Sequence, residues 1–132
     1  MPAYVPPGFA TITPYIAVPN AAAYITFLQA ALGGIEIGRS TRPDGTIANA
    51  QIRVTDSTIM LSDATAEYPA SRISLYFYVE NADAAVARAL AHGASFEMAV
   101  ADMPYGDRQG GIVDPNGNIW WLSQRLVEKP YF

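Results

Sequence analysis

The side chains of this sequence that can do chemistry are aromatic hydroxyls, amides and a few charged groups. The usual metal ligands are nearly missing. There is no cysteine and one histidine, His92. That excludes a disulfide scaffold, a thiolate metal site, a cysteine nucleophile and any two-histidine metal triad within one chain. A serine triad would have to recruit His92, and there is no Gly-x-Ser-x-Gly elbow. His92 instead falls at the expected end of a helix, where a histidine eases the dipole and caps carbonyls. Tyr15, Tyr76, Tyr78 and Trp121 remain. They read as an aromatic wall for a planar or glycosidic ligand, or as side chains that fill the fold or an interface. Asn49, Gln51 and Arg53 share one parity on a strand pattern. The guanidinium can clamp an anionic or carbonyl group while the amides orient it, or all three face solvent. Asp107 and Arg108 follow Tyr105-Gly106 at a strand start, and read as a strand-edge pairing or as groups at a pocket mouth. Gly110-Gly111 lies on a strand pattern rather than before a helix, so it is no phosphate cradle.

The elements that must position these residues occur twice. A shift of 61 residues aligns Tyr15 with Tyr76, Val18 with Val79, Asn20 with Asn81, Ala21 with Ala82, Leu61 with Leu122 and Ser62 with Ser123. Residues 11–18 alternate and are β-rich. Asn20 is the expected N-cap of a helix whose apolar stripe is Tyr24, Phe27, Leu28, Ala31 and Leu32. Gly33-Gly34 ends it. Strands are expected near 35–41, 47–54 and 58–62, with a tight turn at Arg42-Pro43-Asp44-Gly45. In the second half, residues 71–79 form a strand. Asn81 caps a helix with Ala82, Ala85, Val86, Ala89 and Leu90 on one face, and His92-Gly93 closes it. Strands follow near 96–101, 107–113 and 118–124, and Asp114-Pro115-Asn116-Gly117 fits a type I turn. The expected fold is α+β, two tandem βαβββ modules forming a cupped mixed sheet. Module one covers about residues 10–63, a linker 64–70, and module two 71–125, within a single domain of 132 residues.

Parity assigns the faces. Ile12, Pro14, Ile16 and Val18, and Ile73, Leu75, Phe77 and Val79, should pack under the helices, as should Leu61, Trp120 and Leu122. The opposite face carries Thr13, Tyr15 and Ala17, Ser74, Tyr76 and Tyr78, and Met60, Ser62, Trp121 and Ser123. A mixture of aromatic rings and hydroxyls suits a small-molecule cavity.

Hydrophobic residues make up 51% of the chain and charged residues 15%, which predicts a packed globule. The net charge is −4 and no basic cluster exists, so no nucleic-acid partner is expected. No positive charge precedes Arg39 and no apolar run approaches the ~20 residues of a spanning helix. The expectation is a cytoplasmic protein without a membrane partner. The Pro-rich start (Pro2, Pro6, Pro7) and the tail Lys129-Pro130-Tyr131-Phe132 read as arms on the surface or on a partner subunit.

The duplicated unit with its Val-x-Asn-Ala openings resembles the vicinal oxygen chelate superfamily of glyoxalase I, bleomycin-resistance proteins and extradiol dioxygenases. The segments Tyr105-Gly106-Asp107-Arg108-Gln109-Gly110 and Asp114-Pro115-Asn116-Gly117-Asn118-Ile119-Trp120 are similar to the closing signature of its PhnB-like branch. The resemblance covers roughly residues 10–125. It implies that each unit supplies half of a cup around a pocket. The family's metal-ligand positions fall here on Thr13, Met60, Ser74 and Trp121, and further positions that are histidine in PhnB-like relatives fall on Asn49 and Asn118. Hydroxyls, a thioether, an indole and amides stand where imidazoles and carboxylates would be, and an indole offers no in-plane lone pair. The expectation is therefore no metal and no cofactor. It is a bleomycin-resistance-like, antibiotic-sequestering protein, a homodimer as family members usually are. The expected ligand-binding set is Thr13, Tyr15, Asn49, Gln51, Arg53, Met60, Ser74, Tyr76, Tyr78 and Trp121. Two other readings stay open. One is a lyase, isomerase or dioxygenase with a displaced metal or an acid–base mechanism, in which Tyr76 or Tyr78 acts with Arg53. The other is a protein-interaction module whose cup is filled by its own side chains.

Overall fold

Two asparagines start the two helices in the same way. In a computed structural model describing residues 3–132, Asn20 is extended and its side-chain oxygen accepts the Ala23 N–H at 3.1 Å. Asn81 does the same for Ala84 at 3.0 Å. Each satisfies one of the orphan donors of a first helical turn. Helix α1 (Ala21–Leu32) ends at Gly33 in the left-handed conformation, and α2 (Ala82–Ala91) ends at His92, with Gly93 at φ 106°. His92 is thus the C-cap residue, as its position in the sequence suggests.

The chain divides into two units between Ser71 and Arg72. The first holds β1 (Tyr15–Val18), α1, β2 (Ile35–Thr41), β3 (Ile47–Val54) and β4 (Ser57–Asp63). The second holds β5 (Ser74–Tyr78), α2, β6 (Ser95–Asp102), β7 (Asp107–Val113) and β8 (Ile119–Arg125). The sheets are ordered β1-β4-β3-β2 and β5-β8-β7-β6. In each, the first strand runs parallel to the last and the other pairs are antiparallel. Each unit is the βαβββ module that the sequence predicts, and the fold is α+β with two mixed four-stranded sheets. Residues 64–70 carry neither helix nor strand.

One helix covers one face of its own sheet. Under α1 lie Ile16, Val18, Ala50, Ile52 and Leu61, all buried, together with the expected stripe Tyr24, Phe27, Leu28, Ala31 and Leu32. Under α2 lie Ile112, Trp120 and Leu122, with Ala82, Val86 and Ala89 buried from the helix side. Phe77 meets Trp120 edge-on at 6.3 Å. Gly110 permits this packing, because a Cβ there would come within 2.8 Å of the Val86 and Val100 methyl groups. The repeat also sets how each helix is tied to its sheet. The Ala21 N–H donates to Asp63 at 2.8 Å, and the Ala82 N–H to Gln124 at 3.0 Å. The second Asp63 oxygen accepts the Ile47 N–H at 2.7 Å.

Two expected strands are shorter than the alternation implied. β1 starts at Tyr15, so Thr13 lies in a loop with its hydroxyl donating to the Ala10 carbonyl at 3.2 Å, and Ile12 is 86% exposed instead of packed under the helix. The cause is Pro14: its carbonyl accepts the Met60 N–H at 2.9 Å, but it has no N–H with which to continue the parallel ladder along β4. β5 starts at Ser74 because the Ile73 N–H is taken by the Asn118 side chain at 3.0 Å. The expected turns close at Gly45 and Gly117, both with positive φ, as Gly45 N–H donates to the Arg42 carbonyl and Gly117 N–H to that of Asp114. The tail lies on the surface of the second unit, the first of the two placements expected for it, through contacts given below. Pro2 lies outside the described residues.

Deleting core volume and deleting a cap should differ in cost. Leu122→Ala is expected to destabilise by about 2–5 kcal/mol and Asn81→Ala by about 1 kcal/mol. Urea denaturation followed by tryptophan fluorescence checks both, and a cap deletion costing as much as the leucine would contradict this packing.

Candidate functional site

The strand period sends every second side chain to the face that no helix covers. On the first sheet the register aligns Tyr15, Met60 and Gln51 in one row and Ala17 with Ser62 in the next, while Asn49 shares the parity of Gln51 and lies opposite Ser40. Tyr15 is 59% exposed. With Ala17, Arg42, Ser62 and Tyr68 it lines a cavity of about 630 Å³. Gln51 donates to Asn49 at 3.4 Å. Arg53 shares this open face, but the backbone at Gly8 lies on its guanidinium, and its Nε is buried with no hydrogen-bond partner among the described residues.

On the second sheet the open face is organised by a carboxylate. Asp107, the first residue of β7, is fully buried. One of its oxygens accepts the Tyr76 hydroxyl at 2.9 Å and the Tyr131 hydroxyl at 2.6 Å, with the Ser123 hydroxyl at 3.0 Å. The other accepts Arg125 Nη1 at 2.9 Å. Burial pushes the Asp107 carboxyl up, but the bonds from Tyr131, Arg125, Tyr76 and Ser123 outweigh it and hold the group down at about 2. Burial raises the Tyr76 hydroxyl, and the bond to Asp107 raises Tyr131. Both phenols therefore stay protonated and donate. Tyr131 spends its proton on Asp107, so Tyr78, 2.8 Å away, donates to the Tyr131 oxygen.

The tail reaches this cluster by short steps. The Leu126 N–H donates to the Gly106 carbonyl at 2.9 Å, and Arg125 Nη2 donates to the Lys129 carbonyl at 2.6 Å. The Arg125 guanidinium then lies 4.1 Å from the Tyr131 ring centre, a cation–π contact. Tyr105 donates to Gln109 and stands 6.3 Å from the Tyr131 ring. Tyr76, Tyr78, Tyr105, Tyr131 and Phe132 line an open cavity of about 560 Å³. Parity divides Asp107 from its neighbour. Arg108 turns to the helix side and binds Asp83 at 2.7 and 3.1 Å and Asp102 at 2.9 Å.

The positions at which metal ligands are expected do not fit a divalent ion. Thr13 is engaged with backbone, and Met60 offers a thioether. Trp121 Nε1 donates to the Ser74 hydroxyl at 2.8 Å, so these two seats close on each other. The Trp121 ring rests on Gly111, where a Cβ would come within 2.8 Å of it. Asn118 is buried and serves the Ile73 backbone. Among the described residues no group of three or more His, Cys, Asp or Glu side chains is placed to hold a metal. The Asp114 turn is structural: its buried carboxylate accepts the Asn116 and Asn118 N–H groups and the Trp120 indole N–H at 2.9–3.0 Å.

A model of the Glyoxalase/Bleomycin resistance protein/Dioxygenase superfamily matches residues 8–122. The chain belongs to this superfamily. The uncharacterized protein Rv0887c of Mycobacterium tuberculosis is 31% identical over 128 residues, covering 89% of this chain and 75% of its own length. Its counterpart Mb0911c of Mycobacterium bovis is also 31% identical, with 84% of its length covered. Among solved structures, TioX from Micromonospora sp. ML1 superimposes with a TM-score of 0.75 at 21% identity, covering 89% of this chain and 99% of that one. TnmS3, an antibiotic binding protein from Streptomyces sp. CB03234, does so at 0.71 and 21% identity, covering 95% and 99%. At these identities the two structures share the fold. No helix among the described residues is long and apolar enough to cross a membrane.

Asp107, Ser123, Arg125 and Tyr131 were outside the ligand-binding set read from the sequence. The parity that Asp107 shares with Gln109 and Gly111, opposite Trp121 across β8, was the available signal. Nothing in the sequence announced Tyr131.

The cluster predicts an acid sensitivity. Asp107 ionises more readily folded than unfolded, so its contribution is fully present above the ordinary carboxylate value and is lost as pH falls toward about 2. The urea midpoint should drop across that window, and Asp107→Asn should flatten the drop. An unchanged acid profile in the variant would remove Asp107 from the centre of this network.

Proposed function

We propose that this protein holds an organic small molecule, without a metal, against the open faces of its sheets, and releases it chemically unchanged. The observation that carries the proposal is the Trp121–Ser74 hydrogen bond, which joins two seats where metal enzymes of the superfamily keep ligands. Around it lie the residues a binder needs. Tyr76 and Tyr78 are 45% and 53% exposed with rings 5.3 Å apart, an area for stacking, and Asp107 and Arg125 supply fixed polar groups at its edge. TnmS3, which shares the fold, is an antibiotic binding protein, and that supports an antibiotic as the class of guest. Tyr15, Asn49, Gln51 and Met60 furnish a second polar–aromatic surface on the first unit, with Arg53 beneath the segment at Gly8. Tyr76 keeps its proton and directs it to Asp107, so it is neither a phenolate base nor a free donor to a substrate carbonyl. Pairing of two copies is part of the proposal. It is supported by Ile35, Ile37 and Phe96, which stand exposed on the edge strands β2 and β6.

The test is titration of the purified protein with polycyclic aromatic antibiotics, read by tryptophan fluorescence and by mass spectrometry of the recovered compound. Quenching with an unchanged mass is expected, and Tyr76→Ala should weaken binding by roughly tenfold, the scale of a lost stacking and hydrogen-bonding partner. Conversion of the compound would make the protein an enzyme. Stoichiometric zinc, nickel or iron that is lost on Trp121→Ala would overturn the metal-free reading.

A further inference from the structure

The open face of the second unit is already occupied by a phenol, and the phenol belongs to the chain itself. Tyr131 arrives from the tail and brings its hydroxyl to 2.6 Å from Asp107 and 2.8 Å from Tyr78. Its ring is held by the Arg125 guanidinium on one side and stands near Tyr105 on another. This is how a bound aromatic guest would be held: one hydroxyl donated to a buried carboxylate, one cation over the ring, and aromatic side chains around it. The attachment is shallow, however. Tyr131 is 42% exposed and Phe132 fully exposed, and both line the cavity of about 560 Å³ rather than fill it. Among the described residues no helix or strand follows Arg125, and backbone groups of the tail are held at Leu126 and Lys129. Tyr131 is thus fixed mainly by interactions that an incoming phenol could take over.

We propose that this face takes an uncharged aromatic ligand bearing a phenolic hydroxyl, and that Tyr131 holds the ligand's place in the free protein and leaves when the ligand arrives. The inference rests on the small-molecule-binding reading above and adds to it the ligand's chemistry and a built-in competitor. Selection follows from the acceptor. Asp107 has its other contacts satisfied by Tyr76, Ser123 and Arg125, so removing Tyr131 leaves one acceptor position that only a donor can fill. A methyl ether has no proton to give. A phenolate would face a carboxylate at hydrogen-bond distance, and like charges repel. Displacement costs the tail its contacts, so the competitor lowers the apparent affinity by the fraction of time it occupies the seat.

The experiment uses the 132-residue chain and the matched probes 2-naphthol and 2-methoxynaphthalene, with affinity from calorimetry. Tyr131→Ala should bind 2-naphthol about tenfold or more tightly than the unmodified protein, with little gain for the ether, and Asp107→Asn in that background should abolish the preference. In the unmodified protein, 2-naphthol should shift the amide resonances of residues 129–132 toward those of an unstructured segment while the sheet stays folded. Affinity should fall as pH rises through ionisation of the probe. Binding of both probes with no gain from Tyr131→Ala, or an equal gain for both, would overturn the place-holding role while leaving small-molecule holding intact. Failure of both probes to bind any form, alongside antibiotic binding in the titration above, would overturn the phenol preference alone. Failure of every compound in both experiments would overturn both readings.

Discussion

A single helix can shield one side of a four-stranded sheet and no more. That limit decides what each residue of the eight strands is for. Ile16, Val18, Ile52 and Leu61 in one unit, and Ile112, Trp120 and Leu122 in the other, are withdrawn from water. Their neighbours in sequence are committed to the uncovered side. A slip of one residue anywhere would exchange the two sets. The hydrophobic contribution of the covered side, about 1.5–3 kcal/mol for each large side chain, is what fixes Tyr76 and Trp121 outward. The glycines at 110 and 111 tune the arrangement from within β7, one giving way to α2 and the next to the Trp121 ring.

The uncovered side of the second sheet contains a buried charge, and such a charge is costly unless its partners are complete. Asp107 obtains them from β5, β8 and the tail. Completeness explains why the carboxylate stays ionised despite burial, and why the phenols around it keep their protons. A cluster of this kind orders its own surroundings. It aligns Tyr76, and through Tyr131 it aligns Tyr78, so the aromatic rings hold a defined arrangement in this structure.

The strands, helices and caps were legible because they depend on spacing along the chain: the 61-residue repeat, the stripes of α1 and α2, and Asn20 and Asn81 before them. Alternation also placed Tyr15, Asn49, Gln51, Met60, Ser74, Tyr76, Tyr78 and Trp121 on strands facing away from the helices. It failed at Thr13 and Ile12, since a β-like pattern extends a strand only while each residue can supply its ladder bonds, and Pro14 has no N–H to give. The Asp107 cluster was hidden for a different reason. Its members are separated by up to 55 residues and meet only when three strands and a tail without periodicity converge. No local signal marks such a meeting.

The two halves share a scaffold but keep their acids in different places. Asp63 in the first half spends both oxygens on backbone N–H groups of Ala21 and Ile47, and the matching position in the second is the neutral Gln124. The second half has its acid at the rim of β7 instead, where the aligned strand of the first begins with the buried Ile47. A carboxylate bound to main chain fixes the frame; one bound to side chains fixes the positions of those side chains. The duplication therefore left two similar frames that settle their acids differently: one ties helix and sheet together through backbone bonds, and the other gathers hydroxyls and a guanidinium from two strands and the tail.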